Sequence, residues 1–213
     1  MIMAFSITLS RALAPVAALG AVAAMPAPAF AQSAGELAQV EAHLAATQSM
    51  TARFVQTDSK NRQLAGTVQL KRPGRIRFEY GGGANMLLVG NGRTLTFVDY
   101  EVGQKSSWAI AKSPLSVLLS AKPDLRRIAR ILPTEDKRIL LVRARDGSRP
   151  EFGTMILAFV KTPGAPAGLR LEGWTAIDAQ NKRTTVKLDG QRYNVAVPES
   201  AFTYAEPRKR GRG

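Results

Sequence analysis

The chain of 213 residues contains no cysteine. No disulfide can brace it, no thiolate can attack a substrate or hold a metal, and no cysteine can carry a lipid anchor. Histidine is almost as scarce, with His43 the single example. No Gly-x-Ser-x-Gly elbow is present to pair with it, so a nucleophilic hydrolase has no visible machinery. Phosphate loops of the GxxxxGK[ST] kind and glycine-rich dinucleotide fingerprints are missing too. Acidic residues number 16 against 30 lysines and arginines, and they are scattered. Glu135-Asp136 reads as a turn, and Asp178 and Asp189 as strand ends, which is no arrangement for a metal. No catalytic residue, metal ligand or cofactor is therefore expected, and the chain reads as a binding protein, not an enzyme.

Long hydrophobic runs are also lacking. The one apolar stretch, Ala12 to Ala24, falls short of the roughly 20 residues that cross a bilayer. It follows Arg11 and precedes Ala29-Phe30-Ala31, a small-x-small site. Residues 1–31 thus read as a secretory signal peptide cut near Ala31/Gln32, which places the mature protein in the periplasm. The formal charge of +14 calls for an anionic partner. Export argues against nucleic acid and leaves transient contact with an anionic membrane surface. Residues 206–213, with Arg208-Lys209-Arg210-Gly211-Arg212, are expected to form a basic, flexible tail.

What the sequence does have is alternation. After one amphipathic helix over about Gly35–Gln48, with Ser33 as its N-cap and Leu37, Val40, His43, Leu44 and Thr47 on one side, the period switches to two. Strands are expected over Met50–Thr57, Gln63–Lys71, Arg75–Tyr80, Met86–Val89, Thr94–Asp99 and Ser106–Ala111. Further strands are expected over Leu125–Leu132, Arg138–Arg145, Thr154–Lys161, Leu169–Ile177, Arg183–Leu188 and Ala201–Tyr204. Asn91-Gly92 marks a tight hairpin. Ser113 and Pro114 open a short helix carrying Leu115, Leu118 and Leu119. Strands with short connections and two helices predict an α+β fold in one domain over 32–205, expected to be a monomer. Its large antiparallel sheet has a concave hydrophobic face covered by the helices.

One apolar face runs through Val68, Leu70, Ile76, Phe78, Tyr80, Leu95, Phe97, Trp108, Ile110, Leu157, Phe159, Leu169 and Leu171. So few helices have little to fill a broad concave face, so these positions and the three leucines of the short helix are expected to line a cavity for an apolar guest. Arg72 ends that same face. A guanidinium cannot shed its charge, so at such a place it must find acceptors. Pro73 and Gly74 are expected to supply the turn after it and no more.

The order Phe54-Val55-Gln56, then Gly66 to Gly74 with Leu70-Lys71-Arg72-Pro73-Gly74, then Arg77-Phe78-Glu79-Tyr80, then Leu88-Val89-Gly90-Asn91-Gly92-Arg93-Thr94-Leu95, resembles the LolA family of periplasmic lipoprotein carriers. Val197 to Tyr204 is similar to that family's closing strand. The resemblance implies an unclosed half β-barrel whose helices form a lid over an acyl-chain site. It implies a carrier that takes acylated lipoproteins from an inner-membrane lipoprotein-releasing ABC transporter to an outer-membrane receptor lipoprotein. It also implies that Arg72 latches the lid by bonding main-chain carbonyls. A carrier or sensor of another lipid or glycolipid on the same fold is the alternative.

Overall fold

The computed structural model describes residues 28–120 and 124–208, so most of the expected signal peptide and the end of the basic tail lie outside the described residues. Helix α1 spans Pro28–Ala46 and is followed by strands β1 (Ser49–Thr57), β2 (Gln63–Lys71), β3 (Arg75–Tyr80), β4 (Met86–Asn91), β5 (Thr94–Asp99) and β6 (Gln104–Ala109). Two one-turn helices come next, α2 (Ser116–Leu119) and α3 (Leu125–Ile128). Strands β7 (Ala129–Leu132), β8 (Ile139–Ala144), β9 (Thr154–Lys161), β10 (Leu169–Ile177) and β11 (Arg183–Tyr193) complete the sheet.

All eleven strands join one sheet in the order β6-β5-β4-β3-β2-β1-β11-β10-β9-β8-β7. Every pairing is antiparallel, and β1 pairs with β11 in the middle. The sheet curls but does not close, because β6 and β7 are its two outer edges. Local chemistry fixes the hairpins. Asp58 Oδ1 accepts from the amides of Lys60 and Arg62, Asn91 Oδ1 from those of Arg93 and Thr94, and Asp178 Oδ1 from those of Gln180 and Lys182. Short acceptors of this kind stand in for a backbone turn.

The chain segment that links β6 to β7 is also the one that carries α2 and α3. Together with α1 these helices cover the concave face. Val40 and Leu44 of α1, Leu118 and Leu119 of α2, and Leu125 of α3 are all buried in one cluster with the inward side chains of the sheet. The expectation of an open antiparallel sheet under helices is met. On the convex side, a second cluster joins Leu87 and Val89 of β4 and Val98 of β5 to Val197 and Phe202 of the C-terminal segment.

Several expectations need correction. Helix α1 is already helical from Pro28, the first described residue, so Ser33 lies inside the helix and does not cap it. Residues Leu125 to Ile128 form α3, not the first half of a strand. Glu41 Oε1 of α1 accepts from the Leu125 amide, an outside partner that a lone strand reading could not supply. Ser113 does not open α2: its hydroxyl donates back to the Ile110 carbonyl, and α2 starts at Ser116. The expected last strand is a 3₁₀ turn, Glu199–Phe202, laid across the convex face.

Candidate functional site

Concave-face side chains meet in cross-strand pairs: Val68 opposite Phe78, Leu70 opposite Ile76, and Phe159 opposite Leu171. Phe54 meets Phe78 and Tyr80 edge to face at 5.0 and 5.3 Å between ring centres, and Phe78 meets Trp174 in the same way. Such offsets match the positive edge of one ring to the negative face of the next. Tyr80 donates its hydroxyl to Gln56 Oε1 at 2.9 Å, which explains why the polar Gln56 shares this face. Burial pushes the Tyr80 phenol up to about 12, so it stays a neutral donor.

At the far end of β2 lies Arg72, 8% exposed. Its Nε donates to the Leu118 carbonyl of α2 at 2.9 Å. Its Nη1 donates to the carbonyls of Leu44 and Thr47, at the C-terminal end of α1. One planar group thus ties two covering helices to the sheet. The carbonyls at a helix C-terminus lack intrahelical partners and carry the negative end of the helix dipole, so a cation is well placed there. Burial lowers the Arg72 guanidinium to about 10, which still leaves it charged at neutral pH. Its amide is held by the Gln48 carbonyl at 2.8 Å. The peptide bond between Arg72 and Pro73 is cis.

Gly74 does more than turn the chain. Its amide donates to the Leu119 carbonyl of α2 at 3.0 Å, and its carbonyl accepts from Gly92 at 3.1 Å. With φ of +71° and Gly92 backbone 2.6 Å from where a Cβ would stand, no side chain fits. Arg72 and Gly74 therefore both tie α2 to the sheet, one by side chain and one by main chain. The Leu-Lys-Arg-Pro-Gly string pointed to the first and not the second.

Helix α1 has further anchors. His43 is buried, with Nδ1 2.9 Å from the Pro166 carbonyl and its ring edge-on to Phe159 and Tyr193. A carbonyl only accepts, so Nδ1 carries the proton. Desolvation lowers the His43 pKa, the Pro166 bond partly offsets this, and the charge of Arg72 lowers it again. His43 is thus a neutral packing residue, as its place on the helix face suggested. Gln39 donates to Ala167 at 2.9 Å and Lys161 faces Glu36 at 3.4 Å.

Of the positions read as cavity lining, Val68, Leu70, Ile76, Phe78, Tyr80, Leu95, Ile110, Leu118, Leu119, Leu157, Phe159, Leu169 and Leu171 are buried in the concave cluster. Phe97 and Leu115 are half-buried against it. Trp108 stands apart from these: opposite Leu95 but on edge strand β6, it is 40% exposed. Ile110 lies in a 3₁₀ turn just past that strand. Leu118 and Leu119 of α2 occupy the concave face among these side chains.

A cleft of about 640 Å³ opens between α2 on one side and α3 with the β8–β9 connection on the other. That size falls among ligand pockets, which run from ~300 to ~1,000 Å³. It is bordered by Ala144 and Met155, both members of the concave cluster. Its rim includes Arg127 and Arg145. None of the expected lining positions borders it. The cleft is made by connections between strands, where period-two alternation carries no signal.

The family model described as outer membrane lipoprotein carrier protein LolA matches residues 45–205. The outer-membrane lipoprotein carrier protein of Chromobacterium violaceum is 26% identical over 207 residues, covering 93% of this chain and 96% of that one. Its namesake in Methylobacillus flagellatus is 27% identical over 180 residues, covering 79% of this chain and 83% of its own. Among solved structures, a chain of the Pseudomonas aeruginosa MucA/MucB complex is similar over 82% of this chain at a TM-score of 0.47 and 12% identity, and this chain spans 61% of its length. A match to the family model over residues 45–205 makes this chain a member of the LolA family, a family of non-enzymatic binding proteins.

Proposed function

We propose that the protein is a periplasmic carrier that encloses the acyl chains of lipoproteins on its concave face and takes them from an inner-membrane transporter to the outer membrane. The observation that supports this reading best is the Arg72 latch, a charged side chain bonded, among the described residues, only to main-chain carbonyls of the covering helices, over a largely apolar sheet face. Exposing one methylene of an acyl chain costs about 0.8 kcal/mol, so a lipidated protein cannot cross an aqueous space unaided. Tight enclosure would trap it. Here the guest displaces Val40, Leu44, Leu118, Leu119 and Leu125, exchanging one apolar contact for another. It must also break the Arg72 bonds, each worth ~1.5–3 kcal/mol, so the loaded form is held back from being too stable. The cleft between α2 and α3 is the entry.

Replacing Arg72 by leucine tests this. Cargo should still load, and loading should be easier because no polar bond is lost. Handover to an acceptor should fall by at least tenfold, since reclosing no longer helps to expel the guest. Handover at the normal rate would overturn the latch. Mass spectrometry of material bound to the purified protein tests the cargo: diacylglyceryl-modified polypeptide is expected, and free glycolipid alone would overturn it.

A further inference from the structure

On β8 and β9, Ile139 to Val142 and Met155 to Val160 are unbroken apolar runs. Such runs belong to strands buried on both faces. Their inward members, Leu140, Val142, Met155, Leu157 and Phe159, are buried in the concave cluster. Their outward members, Ile139, Leu141, Ile156, Ala158 and Val160, belong to neither apolar cluster, and Ile139 is 37% exposed. Cross-strand pairing assembles them into rows on the convex face: Leu132 beside Leu141 beside Ala158, and Ile139 beside Val160.

The charge on the same face is one-sided. Arg130 stands directly opposite Arg143, an unfavourable like-charge pair. Arg130 donates to the Ala129 and Arg126 carbonyls, and neither Arg130 nor Arg143 is in an ion pair among the described residues. Lys187 ends the row beyond Gly173, also without an ion pair. Of the acids around it, Glu172 is matched to Arg170, Asp136 to Arg138 and Asp189 to Arg53, and only Glu135 and Glu151, in the connections at the two ends of β8, are in no ion pair among the described residues.

We infer that this convex face of β7–β9 docks on an anionic phospholipid surface. An apolar patch with facing guanidiniums fits a leaflet that offers acyl chains and phosphates together over a broad area. The inference stands apart from the identity of the cargo, because it uses no residue of the concave face or the latch.

Co-sedimentation with vesicles of phosphatidylcholine and phosphatidylglycerol in equal parts, against phosphatidylcholine alone, is the test. The protein is expected to bind the mixed vesicles and not the neutral ones. At about fivefold per basic residue, the Arg130→Gln, Arg143→Gln double variant should bind on the order of twentyfold more weakly. The Ile139→Ser, Leu141→Ser double variant should also lose binding. A Lys60→Gln, Arg93→Gln control, with the same change in charge at two distant turns, should bind nearly as well as the wild type. Hydrogen exchange of the wild type on vesicles supplies a readout that needs no variant, and protection is expected over β7–β9. Equal loss in the control, equal binding to neutral vesicles, no binding at all, or protection only over α2 and α3 would overturn the proposal. So would self-association in solution that Leu141→Ser abolishes, which would give the face to a second copy. The arginine variants should load acylated cargo in solution as the wild type does, so failure here is distinct from failure of the carrier reading.

Discussion

The two halves of the sheet solve the same problem differently. Strands β4 and β5, like β8 and β9, carry apolar side chains on both faces. Behind β4 and β5 the convex side is closed by the chain's own C-terminal segment, with Val197 and Phe202 as anchors. Basic residues of that half hold the segment down. Lys71 and Arg75 meet Glu199 at 2.7 and 2.9 Å, and Arg77 Nη1 donates to the carbonyls of Ala201 and Thr203. Lys105 meets Glu206 at 2.6 Å, so the first residue of the expected tail is tied to β6. Behind β8 and β9 no described segment plays that part, and Arg130 and Arg143 face each other. An apolar stripe beside uncompensated cations is what the covered half would present if its last residues were peeled away.

Substitutions can break or sharpen that contrast. The largest effect is expected from Phe202→Ala, which empties a buried site in the covered half. Large-to-small changes of this type cost about 3–5 kcal/mol in a core, and somewhat less is expected at this peripheral cluster. Leu141→Ala, its counterpart in the uncovered half, should cost under about 1 kcal/mol, because little apolar area leaves the interior. Urea denaturation of the two variants measures the difference, and similar losses would mean that β8 is covered after all.

A smaller effect, confined to the concave side, is expected from acid. Folding lowers the pKa of His43 from its usual 6.5, so below that pH the unfolded chain takes up the proton first. Stability present above about 6.5 should therefore decline as pH falls below it, before the carboxylates titrate. The His43→Gln variant should show a flatter thermal midpoint across that window. A wild-type midpoint that does not move there would count against a buried, neutral imidazole. The smallest effect should be a gain: Arg143→Gln relieves the like-charge pair and should raise the unfolding midpoint slightly at low salt and not at high salt.

Strands with clean alternation and unambiguous turns were fully legible. The ranges expected for β2, β3, β5, β9 and β10 coincide with those observed, because turn residues such as Pro73-Gly74, Asn91-Gly92 and Pro163-Gly164 mark where strands stop, even where β9 itself does not alternate. Leu125 to Leu132 was not, since its apolar residues suit a helical turn and a strand alike, and the choice is made by Glu41 on a distant helix. The C-terminal segment was misread for a related reason: Val197 and Phe202 look like strand residues but serve as plugs on a face already paired. At the site, Arg72 stood out because a permanent charge broke an apolar pattern. Gly74 and the α2–α3 cleft did not, since backbone bonds and loop surfaces leave no trace in side-chain periodicity.

Among the described residues, every partner of the Arg72 guanidinium is a peptide oxygen, belonging to Leu44, Thr47 or Leu118. A peptide oxygen is supplied by any amino acid. The residues that roof the molecule can therefore drift in identity, adapting to guests of different bulk, without losing the fastening. Only the frame that holds the arginine must stay constant. Novelty can accumulate on the covering helices while the sheet keeps the grip.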